Sequence, residues 1–143
     1  MTPEIFRKIE YYLYNYDYID IKIANIRSEI SGSEYNQNYS RYIKNKSSSL
    51  EDQVIKNIGI EQRIYKIKKW KNLINLVLRK YKSTNKEYYY FINLKYFCKV
   101  SPFTIQEKLN LTLKQQKDIQ AEILQYIFFI AVKKEMLRNE YWR

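Results

Sequence analysis

Apolar residues recur every three or four positions along most of this chain, which is the spacing of a helix with one buried face. Thr2-Pro3 opens the first such segment, with Thr as N-cap and Pro at the first helical position, where its missing N–H costs nothing. Ile5, Ile9, Tyr12 and Leu13 follow on one face, and Ile19, Ile23, Ile26 and Ile30 continue the pattern. The segment is therefore one long helix or two helices broken near Asn15 to Asp17, and Ser31-Gly32-Ser33 ends it. Residues 32–49 are rich in Ser and Asn and lack periodicity, which predicts a linker in which Arg41, Lys44 and Lys46 are available to phosphate.

Ser48 and Glu51 form a capping box for a helix starting near Leu50. From Ile60 through Ile64, Ile67, Trp70, Ile74, Val77 and Tyr81 the chain carries its longest regular stripe, one apolar face of a long helix. The opposite face holds Arg63, Lys66, Lys68, Lys69 and Lys71, a solvated strip whose lysines are also placed to meet backbone phosphates. Thr84 and Glu87 suggest a further capping box, opening a helix through Phe97. Its aromatics offer either stacking platforms for single-stranded bases or core. Phe91, Leu94 and Cys98 on one face favour core.

The stretch Ser101 to Ile119 reads as two short helices around a tight turn. Ser101-Pro102 starts the first, Ile105 and Leu109 form its inner face, and Asn110 occupies a turn position that suits a left-handed residue. Leu111 packs inward, Thr112 and Gln115 make a capping box, and Ile119 and Ile123 extend the buried face. This places a helix-turn-helix at residues 101–121 and sends Leu113, Lys114, Lys117, Asp118 and Ala121 outward. Two positions break the pattern: Gln106 stands where a small residue is expected, and Gln116 where an apolar one is. The expected architecture is mainly α, a multi-helix bundle with a C-terminal helix-turn-helix. Its parts are an N-terminal segment (1–31), a polar linker (32–49) and a helical domain (50–143).

Composition adds chemistry to this outline. Two Gly and two Pro in 143 residues leave little turn chemistry for hairpins. The net charge of +11 suits a polyanionic partner, although a Lys-, Ile-, Asn- and Tyr-rich chain also carries the imprint of AT-rich coding. The charge is uneven. Residues 1–31 carry four basic and five acidic side chains, residues 32–82 twelve and four, and residues 83–143 ten and six. With no His and a single Cys, His-based acid–base catalysis, Cys–His pairs, intrachain disulfides and Cys/His zinc sites are excluded. No enzyme and no cofactor are expected. Cys98, between Phe97 and Lys99, reads as a small buried side chain.

Glu4, Arg7, Lys8 and Glu10 interrupt any secretory signal, and the apolar run Ile123 to Val132 is about half a membrane span, so a cytoplasmic protein without a membrane contact is expected. That run and the Ile60–Tyr81 stripe offer surfaces for a homodimer, with burial in the chain's own core as the alternative for each.

Three features bear a resemblance: Ile9-Glu10-Tyr11-Tyr12-Leu13-Tyr14-Asn15-Tyr16, the Trp70-containing helix, and Leu94-Lys95-Tyr96-Phe97 leading into Ser101 to Thr112. Across nearly its whole length the layout resembles phage late-transcription regulators of the RinA/ArpU type, whose C-terminal half is similar to sigma-factor region 4. The resemblance implies a small double-stranded-DNA-binding activator of phage genes that works with host RNA polymerase. The residue reading assigns DNA contact to Lys99, Lys108, Thr112, Lys114, Gln115, Lys117 and Asp118, and phosphate contact to Lys66, Lys68, Lys69 and Lys71. A non-catalytic protein-interaction adaptor, or a DNA-packaging or origin-recognition protein, is the alternative on the same scaffold.

Overall fold

A computed structural model describes the backbone of residues 1–33 and 47–137, and the side chains of residues 1–28 and 50–137. Six α-helices and no strand occur among these residues, so the chain is mainly α. Helix α1 (Pro3–Tyr14) begins as its sequence predicts: Thr2 Oγ1 accepts the Ile5 N–H at 3.3 Å and Pro3 stands in the first turn. Asn15 stops it by donating from both its backbone N–H and its side-chain amide to the Tyr11 carbonyl. A 3₁₀ turn (Tyr16–Tyr18) leads into α2 (Ile19–Ser33), so the two-helix alternative holds, with the break at Asn15 to Asp17. The side chain of Ile30 lies outside the described residues, as do Arg41, Lys44 and Lys46 and most of the 32–49 linker.

Helix α3 (Ser47–Thr84) is a single 38-residue element, about 57 Å long at 1.5 Å per residue. It already includes Ser47 to Ser49, so Ser48 stands within the helix and the predicted start near Leu50 is too late. Gly59 lies inside it, and a Cβ there would meet nothing within 4 Å. The predicted Thr84–Glu87 cap is also displaced. Thr84 is the last residue of α3 and donates its hydroxyl to the Lys80 carbonyl at 2.6 Å. Asn85 caps α4 (Lys86–Ile92) instead, its Oδ1 accepting from Tyr88 N–H at 3.3 Å.

The helix expected to run to Phe97 changes register after Ile92 into a π-helical turn (Asn93–Phe97), closed by Cys98 N–H donating to the Asn93 carbonyl at 2.8 Å. This wider turn carries Cys98 outward: the thiol is exposed, contrary to the core position expected of it. Lys99 follows at φ 55°, and the Val100 N–H reaches back to the Leu94 carbonyl at 3.0 Å. Helices α5 (Pro102–Leu109) and α6 (Leu113–Lys133) complete the order.

The chain divides into two compact units, cut differently from the sequence-based parts. Met1–Asp17 belongs with Lys69–Arg143, and Tyr18–Lys68 forms the other unit. The first is built around Trp70, Leu73, Ile74 and Val77 of α3 and Ile5, Ile9 and Leu13 of α1. Phe91, Ile92 and Tyr96, then Ile123, Leu124 and Ile127 of α6, complete this core. Tyr12 stacks on Trp70 with ring centroids 5.0 Å apart. Polar groups join the same elements: Tyr96 Oη and Gln120 Nε2 both donate to Glu10 Oε2, at 2.9 and 3.0 Å. Burial and the neighbouring Glu10 carboxylate raise the Tyr96 pKa well above its ordinary value, so the phenol stays a donor.

Among the described residues of the second unit the buried apolar side chains are all isoleucines: Ile19, Ile23 and Ile26 of α2, with Ile64 and Ile67 of α3. Arg27 and Glu61 join these two helices at 3.9 Å on the surface. The Ile60–Tyr81 stripe is thus internal, apart from the half-buried Ile60, and Ile123–Val132 likewise lies largely in the core of its unit, with Phe129 exposed. Neither is a free face for a second copy. No helix among the described residues is long and apolar enough to cross a membrane.

Candidate nucleic-acid interface

The local chemistry between Ser101 and Asp118 fixes two helix ends within a few residues. Ser101 Oγ accepts the Thr104 N–H at 3.3 Å and lies 3.0 Å from the Thr104 hydroxyl, so α5 starts on a satisfied donor. It ends at Asn110, whose φ of 55° and ψ of 44° are the left-handed conformation. A β-branched residue would be strained there, and Asn tolerates it through its short polar side chain. Three residues, Asn110 to Thr112, connect the helices, and Leu111 within them is buried. Thr112 then caps α6: Gln115 N–H donates to Thr112 Oγ1 at 3.2 Å, and Thr112 N–H donates to Gln115 Oε1 at 2.9 Å. This is the reciprocal box expected from the sequence.

The two exceptional glutamines behave differently from each other. Gln106 is exposed, so its size does not oppose helix packing. Gln116 is buried, with 6% of its surface exposed, and its Nε2 donates to the Pro102 carbonyl at 2.9 Å and the Leu111 carbonyl at 3.2 Å. A polar side chain at a core position is costly unless paired, and here both amide protons find carbonyls. Gln116 thereby ties the start of α5 and the connection to α6. Sequence inspection marks it only as an irregularity, and the long-range bond to Pro102 has no sequence signal.

On the outer side, Leu113, Lys114, Lys117, Asp118 and Ala121 are all exposed, as predicted, and their spacing puts them on one face of the first turns of α6. Thr112 and Gln115 are exposed too, but each has an oxygen engaged in the cap. That leaves the Gln115 amide protons and the Thr112 hydroxyl proton as the donors those two side chains offer outward. The helix N-terminus adds its own partial positive charge beside Lys114. Lys108 is exposed in the last turn of α5, and Lys99 is exposed in the loop before it. Phe103, which carries no signal in the sequence pattern, is 68% exposed in the first turn of α5.

The lysine strip of α3 is not brought together in the same way. Lys66 and Lys68 are exposed and belong to the Tyr18–Lys68 unit. Lys69 and Lys71 are half-buried and belong to the other, where Lys71 sits 5.6 Å from the centre of the Tyr16 ring. Among the described residues no cluster of His, Cys, Asp and Glu has the makings of a metal site. Comparison with protein-family models, with curated proteins and with solved structures returns no match for the chain.

Proposed function

We infer that this chain is a DNA-binding transcriptional regulator whose residues 101–121 act as a helix-turn-helix. The observation that carries the reading is the left-handed turn at Asn110, followed by a capped helix with Lys114 and Lys117 on its outward face. A helix presented this way suits the major groove, with its N-terminal residues toward base edges and phosphates. Lys114 and Lys117 supply charge, Leu113 and Ala121 apolar contact, and Asp118 an acceptor for a cytosine amino group. Lys99 and Lys108 suit flanking phosphates, and the overall charge of +11 supplies affinity that does not depend on sequence. By its resemblance to RinA/ArpU-type regulators, the protein acts in the cytoplasm on phage or mobile-element genes together with host RNA polymerase, without catalysis. The exposed Phe103 favours a second reading, an adaptor that uses the same helices to hold another protein.

Duplex binding measured across a salt series tests the reading. Affinity should fall steeply with salt. A Lys114→Ala/Lys117→Ala variant should discriminate less among sequences, and its salt slope should be shallower by about 1 for each phosphate it no longer neutralises. Absence of duplex binding at low salt leaves the adaptor reading standing.

A further inference from the structure

Helix α3 carries two apolar stripes in its first half, and among the described residues one of them is buried. Ile64 and Ile67 are buried, as are Ile19, Ile23 and Ile26 of α2, while Ile60 is half-buried. Leu50, Val54 and Ile58, spaced four apart, form a second row about a third of a turn away and remain 54%, 53% and 53% exposed. Ile55 at 67% flanks the row and Tyr65 at 60% extends it. Val54, Asn57, Ile58, Glu61, Gln62 and Tyr65 line a groove of about 470 Å³ on this face. The Asn57 Oδ1 is buried with no hydrogen-bond partner among the described residues, an acceptor still waiting for a donor.

We propose that this face is a homodimer interface in which the first halves of two α3 helices pack antiparallel about a two-fold axis near Ile58. Charge along the row selects the occupant and its direction. Glu51 stands at one end, Lys66 and Lys68 at the other, all exposed. With the axis at Ile58, Glu51 of one copy lies level with position 65 of the other, beside Lys66. A parallel pair would instead set Glu51 against Glu51 and Lys66 against Lys66, which is repulsive. The five apolar side chains expose on the order of 500 Å² per copy, most of the ~800 Å² per partner of a standard interface, with the charged rim as the remainder. A two-fold arrangement uses the same patch twice, as a self-complementary row requires.

The test uses the full chain and requires no DNA, so its outcome is separate from that of the DNA-binding reading. Sedimentation equilibrium should find a dimer, and Ile58→Glu should raise its dissociation constant at least ~100-fold while helicity by circular dichroism is unchanged. Glu51→Lys and Lys66→Glu should each weaken it about 10-fold, and the two together should restore it. In a Cys98→Ser background, Ile58→Cys should form an interchain disulfide under mild oxidation. Leu50→Cys should not, because antiparallel copies separate the two positions by about 24 Å. A wild-type monomer at about 100 μM, a dimer indifferent to Ile58→Glu, or equal cross-linking at both positions overturns the proposal.

Discussion

The two units of this chain bury apolar surface by different means. In the unit of Met1–Asp17 and Lys69–Arg143, α1, α3, α4, α5 and α6 all contribute side chains to one cluster. Leu73, Ile92, Ile123, Leu124, Ile127 and Ala131 are there at 0% exposure. Polar bonds cross the same core, with Glu10 receiving Tyr96 and Gln120. Among the described residues of the unit of Tyr18–Lys68, five isoleucines on two helices are buried, while Leu50, Val54, Ile55 and Ile58 stay more than half exposed. An apolar stripe is therefore not by itself a core. It becomes one where enough elements converge to cover it, and among the described residues of the second unit one side of α3 is buried and the other is not.

The largest expected effect follows directly. Leu73→Ala removes a fully enclosed side chain and should cost about 2–5 kcal/mol of stability in urea denaturation, because the surrounding helices cannot all collapse into the space. Leu50→Ala, the same chemical change on the exposed row, should fall within about 0.5 kcal/mol at protein concentrations where the chain is monomeric. Equal costs at the two positions would erase the distinction between the units.

Next in size is Gln116. Gln116→Leu keeps the volume and fits the apolar pattern, yet it should cost about 1–3 kcal/mol by leaving the carbonyls of Pro102 and Leu111 without the donor that now serves them. A gain in stability would mean the amide is tolerated rather than needed. Asn110→Ala, in the left-handed turn, should cost about 1–2 kcal/mol, whereas Asn110→Gly should cost less or none. Both substitutions act in the first unit, where the connection between α5 and α6 is fixed by short-range bonds.

These residues also mark what is legible in the sequence. Ser101, Asn110, Thr112 and Gln115 work through neighbours one to three positions away, so their roles follow from spacing alone. Thr2 and Pro3 are of the same kind. Gln116 and Tyr96 act across 14 and 86 positions, and no local pattern announces such a partner. Helical periodicity carried through Asn93–Phe97 misplaces Cys98, because the winding changes to π there and rotates the following residue off its expected face. Thr84 and Ser48 fit the letter pattern of a capping box, but α3 runs through both, and the neighbouring Asn85 takes the cap of α4. The outward set on α6 is legible because the inner positions Ile119 and Ile123 fix the rotation of the helix.

A smaller effect, opposite in sign, belongs to the second unit. Gly59 lies within α3 in open surroundings, so its flexibility serves no close approach. Gly59→Ala should stabilise the helix by about 0.5–1 kcal/mol through the reduced backbone entropy of the unfolded chain. A loss would imply that the helix has to yield at this point, which an unobstructed Cβ gives no reason to expect.

The smallest effect separates the units by pH. Tyr88 donates its hydroxyl to Glu122, and this bond, with burial behind it, pushes the phenol up to about 12 from the ordinary value near 10. Tyr96, Tyr81 and Tyr14 are raised as well, chiefly by burial, and all four belong to the unit of Met1–Asp17 and Lys69–Arg143. A tyrosine whose folded pKa exceeds its unfolded one favours the protonated fold, so its contribution is complete below about pH 10 and is lost as pH rises through the folded value. Denaturation midpoints at pH 8, 10 and 11 should therefore fall with pH. Tyr88→Phe should flatten part of that fall, and the difference between the two profiles removes the contribution of lysines titrating in the same range. Parallel profiles would show that the Tyr88–Glu122 bond is open in solution, leaving burial of Tyr96 and Tyr81 as the source of the alkaline sensitivity of this unit.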